Sequence, residues 1–220
     1  MTIKKKFKGI IFDLDGTLAD TLEDIAGSMN RVLASNNFPA RPVNDYKLLV
    51  GRGLDNLVAQ SLPAEARHPD IIRHCLDRMI MDYNVNCLVK THLYNGVKEV
   101  LSSLEKQKIK MAVFSNKAEP LTLKIVSSLM PDVPFIKVAG ARPDMPKKPD
   151  PSGALDIIRL MKASPDEIIY VGDSDVDMIT AVKAGMYPVG VSWGFRSRDE
   201  LNDNGAAIIL DNPLEILNLL

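Results

Sequence analysis

What most constrains the fold is a set of short apolar runs alternating with helical patterns. Ile109 to Phe114 is nearly continuously apolar, as a strand buried on both faces must be. Further strands are expected at Lys8 to Phe12, Phe135 to Ala139, Glu167 to Val171, Tyr187 to Ser192 and Ala206 to Leu210. Helical patterns separate them. Val97, Val100, Leu101 and Leu104 follow an Asn-Gly turn signal, and Pro120 to Leu129 carries proline in its first turn. Ser152 to Met161 is a third helix, and Val176 to Ala184 a fourth, ended by Gly185. Such alternation builds βαβ units, so the expected class is α/β, with a Rossmann-like parallel sheet covered by helices on both faces.

One stretch interrupts this alternation. From about Asp20 to about Lys90 the pattern is helical throughout. Leu22, Ile25, Met29, Val32 and Leu33 fall on one helix face, and Leu54, Leu57, Val58 and Leu62 on a second. Ile71, Ile72, Cys75, Leu76, Met79, Ile80 and Tyr83 form a third stripe. The economical arrangement is an α/β core of residues 1–19 and 91–220, with an all-helical cap domain inserted at 20–90. A chain of 220 residues accommodates one domain plus such an insertion.

Bulk properties exclude several partners. A net charge of −1 gives no general affinity for nucleic acid. No apolar run approaches the roughly 20 residues that span a bilayer. Lys4, Lys5, Lys6 and Lys8 resemble the start of a signal peptide, but the apolar stretch after them is cut short by Asp13 and Asp15. Cys75 and Cys87 lack metal-ligand spacing, which suits a cytoplasmic protein with reduced thiols. His68, His74 and His92 also show no ligand spacing. The expected partner is a small molecule, met by a monomer or homodimer.

In an α/β core, ligands bind at the C-terminal strand ends. Four of these ends carry unusual polar sequences: Asp13-Leu14-Asp15-Gly16-Thr17, Ser115-Asn116-Lys117, Lys147-Lys148-Pro149-Asp150-Pro151 and Gly172-Asp173-Ser174-Asp175-Val176-Asp177. Gathering Asp13, Asp15 and Asp173 around one crevice creates strong like-charge repulsion. A hard divalent cation relieves it, and an all-oxygen donor set suits Mg²⁺. A carboxylate there can attack phosphorus. Lys148 then neutralises charge on the transferring group while Ser115 and backbone N–H groups orient its oxygens. Asp15, on the same side of an extended segment as Asp13, can protonate the leaving oxygen and later activate water.

These four segments, in this order, resemble the haloacid dehalogenase superfamily over nearly the whole chain. Phe12 to Leu18 fits its D-x-D-G-T loop, Ser115 its phosphate-binding hydroxyl, Lys148 its neutralising lysine, and Gly172-Asp173 with Asp177 its acidic metal loop. The resemblance implies Asp13 as nucleophile and metal ligand. It implies Asp15 as general acid and base whose backbone carbonyl also binds metal. It makes Asp173 a direct ligand of Mg²⁺, with Asp177 in support. Gly16 and Asn116 are expected beside Ser115 at the phosphate. Val50-Gly51-Arg52-Gly53, Phe114-Ser115-Asn116-Lys117 and Trp193-Gly194-Phe195-Arg196-Ser197 resemble the phosphoglycolate phosphatase branch. Tyr94-Asn95-Gly96 departs from that branch, which commonly has proline before the glycine.

That resemblance implies hydrolysis of a small phosphomonoester, best matched by 2-phosphoglycolate, through an aspartyl-phosphate intermediate. A β-phosphoglucomutase-type phosphosugar mutase and an inorganic pyrophosphatase share these loops and stay open as alternatives. A dehalogenase would need neither a metal nor Asp15. Asp177 also reads as a helix-cap residue beside Ser174. Asp175 reads as solvated or capping, and Lys147 as solvent-exposed. Arg52, between two cap glycines, is expected to reach an anionic part of the substrate.

Overall fold

The computed structural model describes residues 7–220; Lys4, Lys5 and Lys6 of the basic run lie outside them. Gly9–Phe12 (β1), Lys110–Ala118 (β4), Phe135–Ala141 (β5), Ile168–Gly172 (β6), Tyr187–Val191 (β7) and Ile208–Leu210 (β8) form one sheet in the order β5-β4-β1-β6-β7-β8. Every pairing in it is parallel. Alternation along the central strands divides the core between its two faces. Ile10, Phe12, Met111, Val113, Ile169 and Val171 pack on one side, and Ile11, Ala112, Phe114, Ile168 and Tyr170 on the other. Val97–Lys106 (α4), Glu119–Leu129 (α5), Ser152–Met161 (α6) and Asp175–Ala184 (α7) supply the crossovers.

Between β1 and β4 the chain is mostly helical, as expected. Leu22–Ser35 (α1), Leu54–Ser61 (α2) and Pro69–Asn86 (α3) carry the three stripes. Met29, Leu57, Cys75, Met79 and Tyr83 belong to the same apolar cluster as the Ile10 face of the sheet. The third stripe is narrower than its sequence suggests. Cys75, Met79 and Tyr83 are buried, whereas Ile80 is exposed, because α3 packs against α1 and α2 on one side only.

Two short strands went unread in the sequence. Ala19–Asp20 (β2) pairs antiparallel with His92–Leu93 (β3), so the chain's exit from the sheet layer and its return lie side by side. A two-residue ladder has no periodicity to read. Two other elements lacked a readable repeat: a 3-10 helix at Val43–Leu48 and the short helix Arg198–Asp203 (α8). A 3-10 helix at Pro213–Leu219, capped by the Asn212 side chain, packs on α4. β4 also runs past Phe114 to Ala118, so Ser115, Asn116 and Lys117 sit within a strand end instead of following it.

Register positions the site. Phe12 lies opposite Val113 on one side and Val171 on the other. One residue further, the Asp13 N–H donates to the Val171 carbonyl at 2.9 Å. Asp13, Ser115 and Asp173 therefore leave three adjacent strands at nearly the same height.

Candidate active site

Four carboxylates and two ammonium groups meet at these strand ends, all nearly withdrawn from solvent: Asp13, Asp15, Asp173, Asp177, Lys117 and Lys148. Lys148 Nζ stands 2.9 Å from Asp13 Oδ1 and 2.6 Å from Asp177 Oδ1. Lys117 Nζ donates to both Asp15 oxygens, at 2.8 and 3.0 Å. Thr21 Oγ1, just before α1, donates to Asp15 Oδ1 at 2.7 Å.

The acidic loop is held from several directions. Asp173 accepts from Thr17 Oγ1 at 3.1 Å and from the Phe195 N–H at 2.8 Å. Its carboxylate lies between two glycines. A Cβ at Gly16 would come within 2.2 Å of Asp173 Oδ2, and one at Gly194 within 2.2 Å of its Cβ. Gly16 also has φ +84°, a conformation few other residues adopt. Trp193 Nε1 donates to the Thr17 carbonyl at 3.0 Å, tying the loop after β7 to the loop after β1. Asp177 Oδ2 accepts from the Ser174 N–H and hydroxyl, at 3.1 and 2.5 Å, while Oδ1 faces Lys148 and the Tyr170 hydroxyl. Its helix-capping role and its place in the cluster hold together.

Electrostatics mark an incomplete charge balance. Burial raises the Asp13 carboxyl to about 7, against the opposing pull of Lys148, with Asp177 and Asp15 adding to the rise. Burial also pushes Asp173 far above the ordinary carboxylate range, reinforced by Asp177 and Asp13. Burial alone would lower the Lys148 ammonium, but Asp13 and Asp177 outweigh it and hold it well above the usual lysine range. Six ionised groups here leave an excess of two negative charges. Asp13, Asp173 and Asp177 each offer a carboxylate oxygen, mutually within 4.8 Å. Asp13 Oδ1, although close to Lys148, accepts no hydrogen bond. An all-oxygen cluster with that excess charge and an unbonded buried oxygen fits a hard divalent cation.

Several expected site residues have other occupations. Gly16 donates its N–H to the Ala19 carbonyl at 2.9 Å, so that group is spent within the loop, and the residue serves the close approach of Asp173. Asn116 donates to the carbonyls of Gly51 and Lys148, each at 2.9 Å, and accepts from the Lys148 N–H at 2.8 Å. Its amide thus fixes the lysine loop and the helical insertion, and is not free for phosphate. Arg52 does not line the site's cavity, although Gly51 and Gly53 on either side of it do. Its half-exposed guanidinium pairs with Asp175 at 2.6 Å, which gives Asp175 a partner the sequence did not reveal. Lys147 likewise pairs with Asp55 at 2.6 Å.

Lys117 was missed as a site residue. Strand alternation placed it on the Ser115 side, and that signal was available. A cavity opens between these groups and the insertion. Asp13, Asp15, Lys117 and Lys148 give its lining a charged part, and Ile25, Val50, Leu54 and Leu57 an apolar part. Only about 30 Å³ is open to the centre of a water-sized atom.

Comparison with known proteins agrees with this geometry. The haloacid dehalogenase-like hydrolase family matches residues 10–191. A phosphoglycolate phosphatase of Mesorhizobium japonicum is 32% identical over 202 residues, covering 91% of this chain and 89% of that protein. One from Haemophilus influenzae is 28% identical over 98% of this chain and 99% of its own. The crystal structure of a predicted phosphoglycolate phosphatase from Haemophilus somnus superposes with a TM-score of 0.90 at 29% identity, covering 97% of each chain. This chain belongs to the haloacid dehalogenase-like hydrolase family.

Proposed function

We propose that the chain is a Mg²⁺-dependent phosphatase of small organic phosphomonoesters, with 2-phosphoglycolate its best-matched substrate. The observation that carries this reading is the buried cluster of four carboxylates and two lysines around one small cavity. The relatives named phosphoglycolate phosphatase point the same way.

In this reading Asp13 attacks phosphorus and becomes an aspartyl phosphate. Lys148, held by Asp13 and Asp177, neutralises charge on the transferring group, and Ser115 donates to one of its oxygens. Asp15 gives a proton to the leaving oxygen, then takes one from the water that attacks the intermediate. Asp13, Asp173 and Asp177, with the Asp15 carbonyl, would hold a divalent ion, which would supply positive charge against carboxylate and phosphate repulsion. Asp177 serves both this set and the placement of Lys148. Residues 20–90 act as a cap on the 1–19 and 91–220 core and exclude water while the intermediate exists.

A small-molecule substrate requires neither nucleic acid nor membrane, and no described helix is long and apolar enough to cross one. Two buried free thiols suit the cytoplasm. The test is a panel of phosphoglycolate, pyrophosphate, hexose phosphates and nucleotides, ranked by kcat/KM, with and without EDTA. Phosphate release from phosphoglycolate that EDTA abolishes and Mg²⁺ restores is expected. Conversion of a hexose 1-phosphate to its 6-phosphate, or no turnover of any phosphate, would overturn the reading.

A further inference from the structure

We propose that Lys117 is the specificity-determining residue, binding a substrate carboxylate one carbon away from the phosphoester oxygen. This rests on the phosphatase reading and assigns the part of the cavity that holds the rest of the substrate.

Two described cations line the cavity, Lys117 and Lys148. Lys148 is engaged by Asp13 and Asp177 and faces the phosphoryl position. Arg52 is committed to Asp175 outside the cavity, and Lys147 to Asp55. Arg196 is committed to the carbonyls of Lys47, Leu48 and Val50 and to Glu200. Of the two cations lining the cavity, Lys117 is the one paired with Asp15, the group that faces the leaving oxygen in this reading.

Its geometry fits the task. An ammonium carries three donors, and two of those on Lys117 reach the Asp15 oxygens, at 2.8 and 3.0 Å. The third makes no hydrogen bond of ordinary length and has Tyr83 as its neighbour, whose buried hydroxyl is likewise without a partner. The Tyr83 ring lies 4.7 Å from Nζ and covers the cation from the α3 side. Asp15 must contact the leaving oxygen, so that oxygen and Lys117 share Asp15 as a common neighbour. In an O–CH₂–COO⁻ unit the ester oxygen and a carboxylate oxygen are about 3 Å apart by ordinary bond lengths and angles. A carboxylate in that position meets Nζ without extending the cavity. The side chains of Ile25, Val50, Leu54 and Leu57, which also line the cavity, offer no hydrogen bond to a longer polar tail.

The experiment compares 2-phosphoglycolate with ethyl phosphate, which keeps the O–CH₂ attachment but ends in methyl. Wild-type enzyme is expected to prefer phosphoglycolate by roughly 100-fold in kcat/KM, the scale of one buried charge-assisted contact. In Lys117→Met that preference is expected to collapse to a few-fold, mostly through KM for phosphoglycolate, and Lys117→Arg is expected to recover part of it. Wild type should also turn over 3-phosphooxypropionate, whose carboxylate is one carbon further away, at least tenfold less efficiently; this readout needs no variant. An equal fall on both substrates in Lys117→Met would mean that the lysine acts only through Asp15, and would overturn the assignment. Wild type hydrolysing ethyl phosphate as readily as phosphoglycolate overturns the assignment alone, and failure to hydrolyse any of the three overturns the phosphatase reading with it.

Discussion

The sheet edge and the helical insertion hold their charges in opposite ways. At the strand ends, Asp13, Asp15, Asp173, Asp177, Lys117 and Lys148 are buried, and most make two or more polar contacts with one another or with neighbouring loops. Between insertion and core, Lys147–Asp55 is exposed on both sides and Arg52–Asp175 on the arginine side, Asp175 itself being buried. Buried charge is costly when a partner is lost, whereas an exposed pair is worth at most about 1 kcal/mol. The strand-end charges are therefore fixed by several buried partners each, whereas these two pairs add little to the firmer Arg196 and Asn116 contacts between insertion and core.

The sharpest way to break that contrast is at Asp13. Asp13→Asn keeps size and shape and removes the nucleophile. Turnover of p-nitrophenyl phosphate is expected to fall by roughly 10⁴-fold or more, with unchanged circular dichroism. Retention of wild-type rates would remove the nucleophile assignment.

Next in size is Lys148→Met. It strips the cation from Asp13 and Asp177 while preserving most of the volume. Leaving buried carboxylates unpaired is expected to cost about 3 kcal/mol in urea unfolding of the metal-free protein. The loss is expected to shrink when Mg²⁺ is added, because the ion binds only the folded cluster. A variant as stable as wild type without metal would show that the strand-end charges are not interlocked.

Legibility in the sequence followed the same divide. β1, β4 and β6 are apolar runs buried on both faces, and each leads into a polar segment that its register carries to one place. Asp13, Asp15, Ser115 and Asp173 were readable because strand ends converge whatever the loops do, whereas Lys148, seven residues past β5, and Asp177, on α7, were readable only by resemblance. The occupations of Asn116, Arg52 and Asp175 depend on how the insertion docks, which no local pattern encodes. Thr21 was hidden for a related reason, since its spacing of 6 residues from Asp15 is no motif, whereas the side of the strand that Lys117 occupies was readable from alternation but its pairing with Asp15, 102 residues away, was not. The loop Trp193 to Arg196 stood out only by resemblance. Its physical role lies in the Phe195 N–H donated to the Asp173 carboxylate and in the Arg196 contacts with the 3-10 helix at Val43–Leu48 and with Val50.

A smaller effect is expected at Arg52. Arg52→Ala breaks a half-exposed pair with Asp175 outside the cavity. Its kcat/KM is expected to change by less than about threefold, equally for phosphoglycolate and ethyl phosphate, in line with a pair worth under ~1 kcal/mol. A large rise in KM confined to phosphoglycolate would return the carboxylate contact to Arg52 and take it from Lys117.

The smallest expected effect lies inside the insertion. Arg31 on α1 donates to both Asp82 oxygens on α3, at 2.9 and 2.6 Å. That fork holds the Asp82 carboxyl down to about 2, helped by Ser28 and Asn86 and opposed by partial burial. A carboxylate depressed in the folded state contributes stability in full above its unfolded pKa, near 4, and loses it as pH falls toward about 2. Arg31 is half exposed, so screening cuts the contribution to about 0.5 kcal/mol. Urea curves of wild type and Arg31→Ala are expected to differ by that amount near pH 7 and to converge as the pH is lowered through this window. Added salt is expected to narrow the gap at neutral pH as well. A gap that persists unchanged at low pH would mean that Arg31 stabilises the α1–α3 contact through its aliphatic stem and not through its charge.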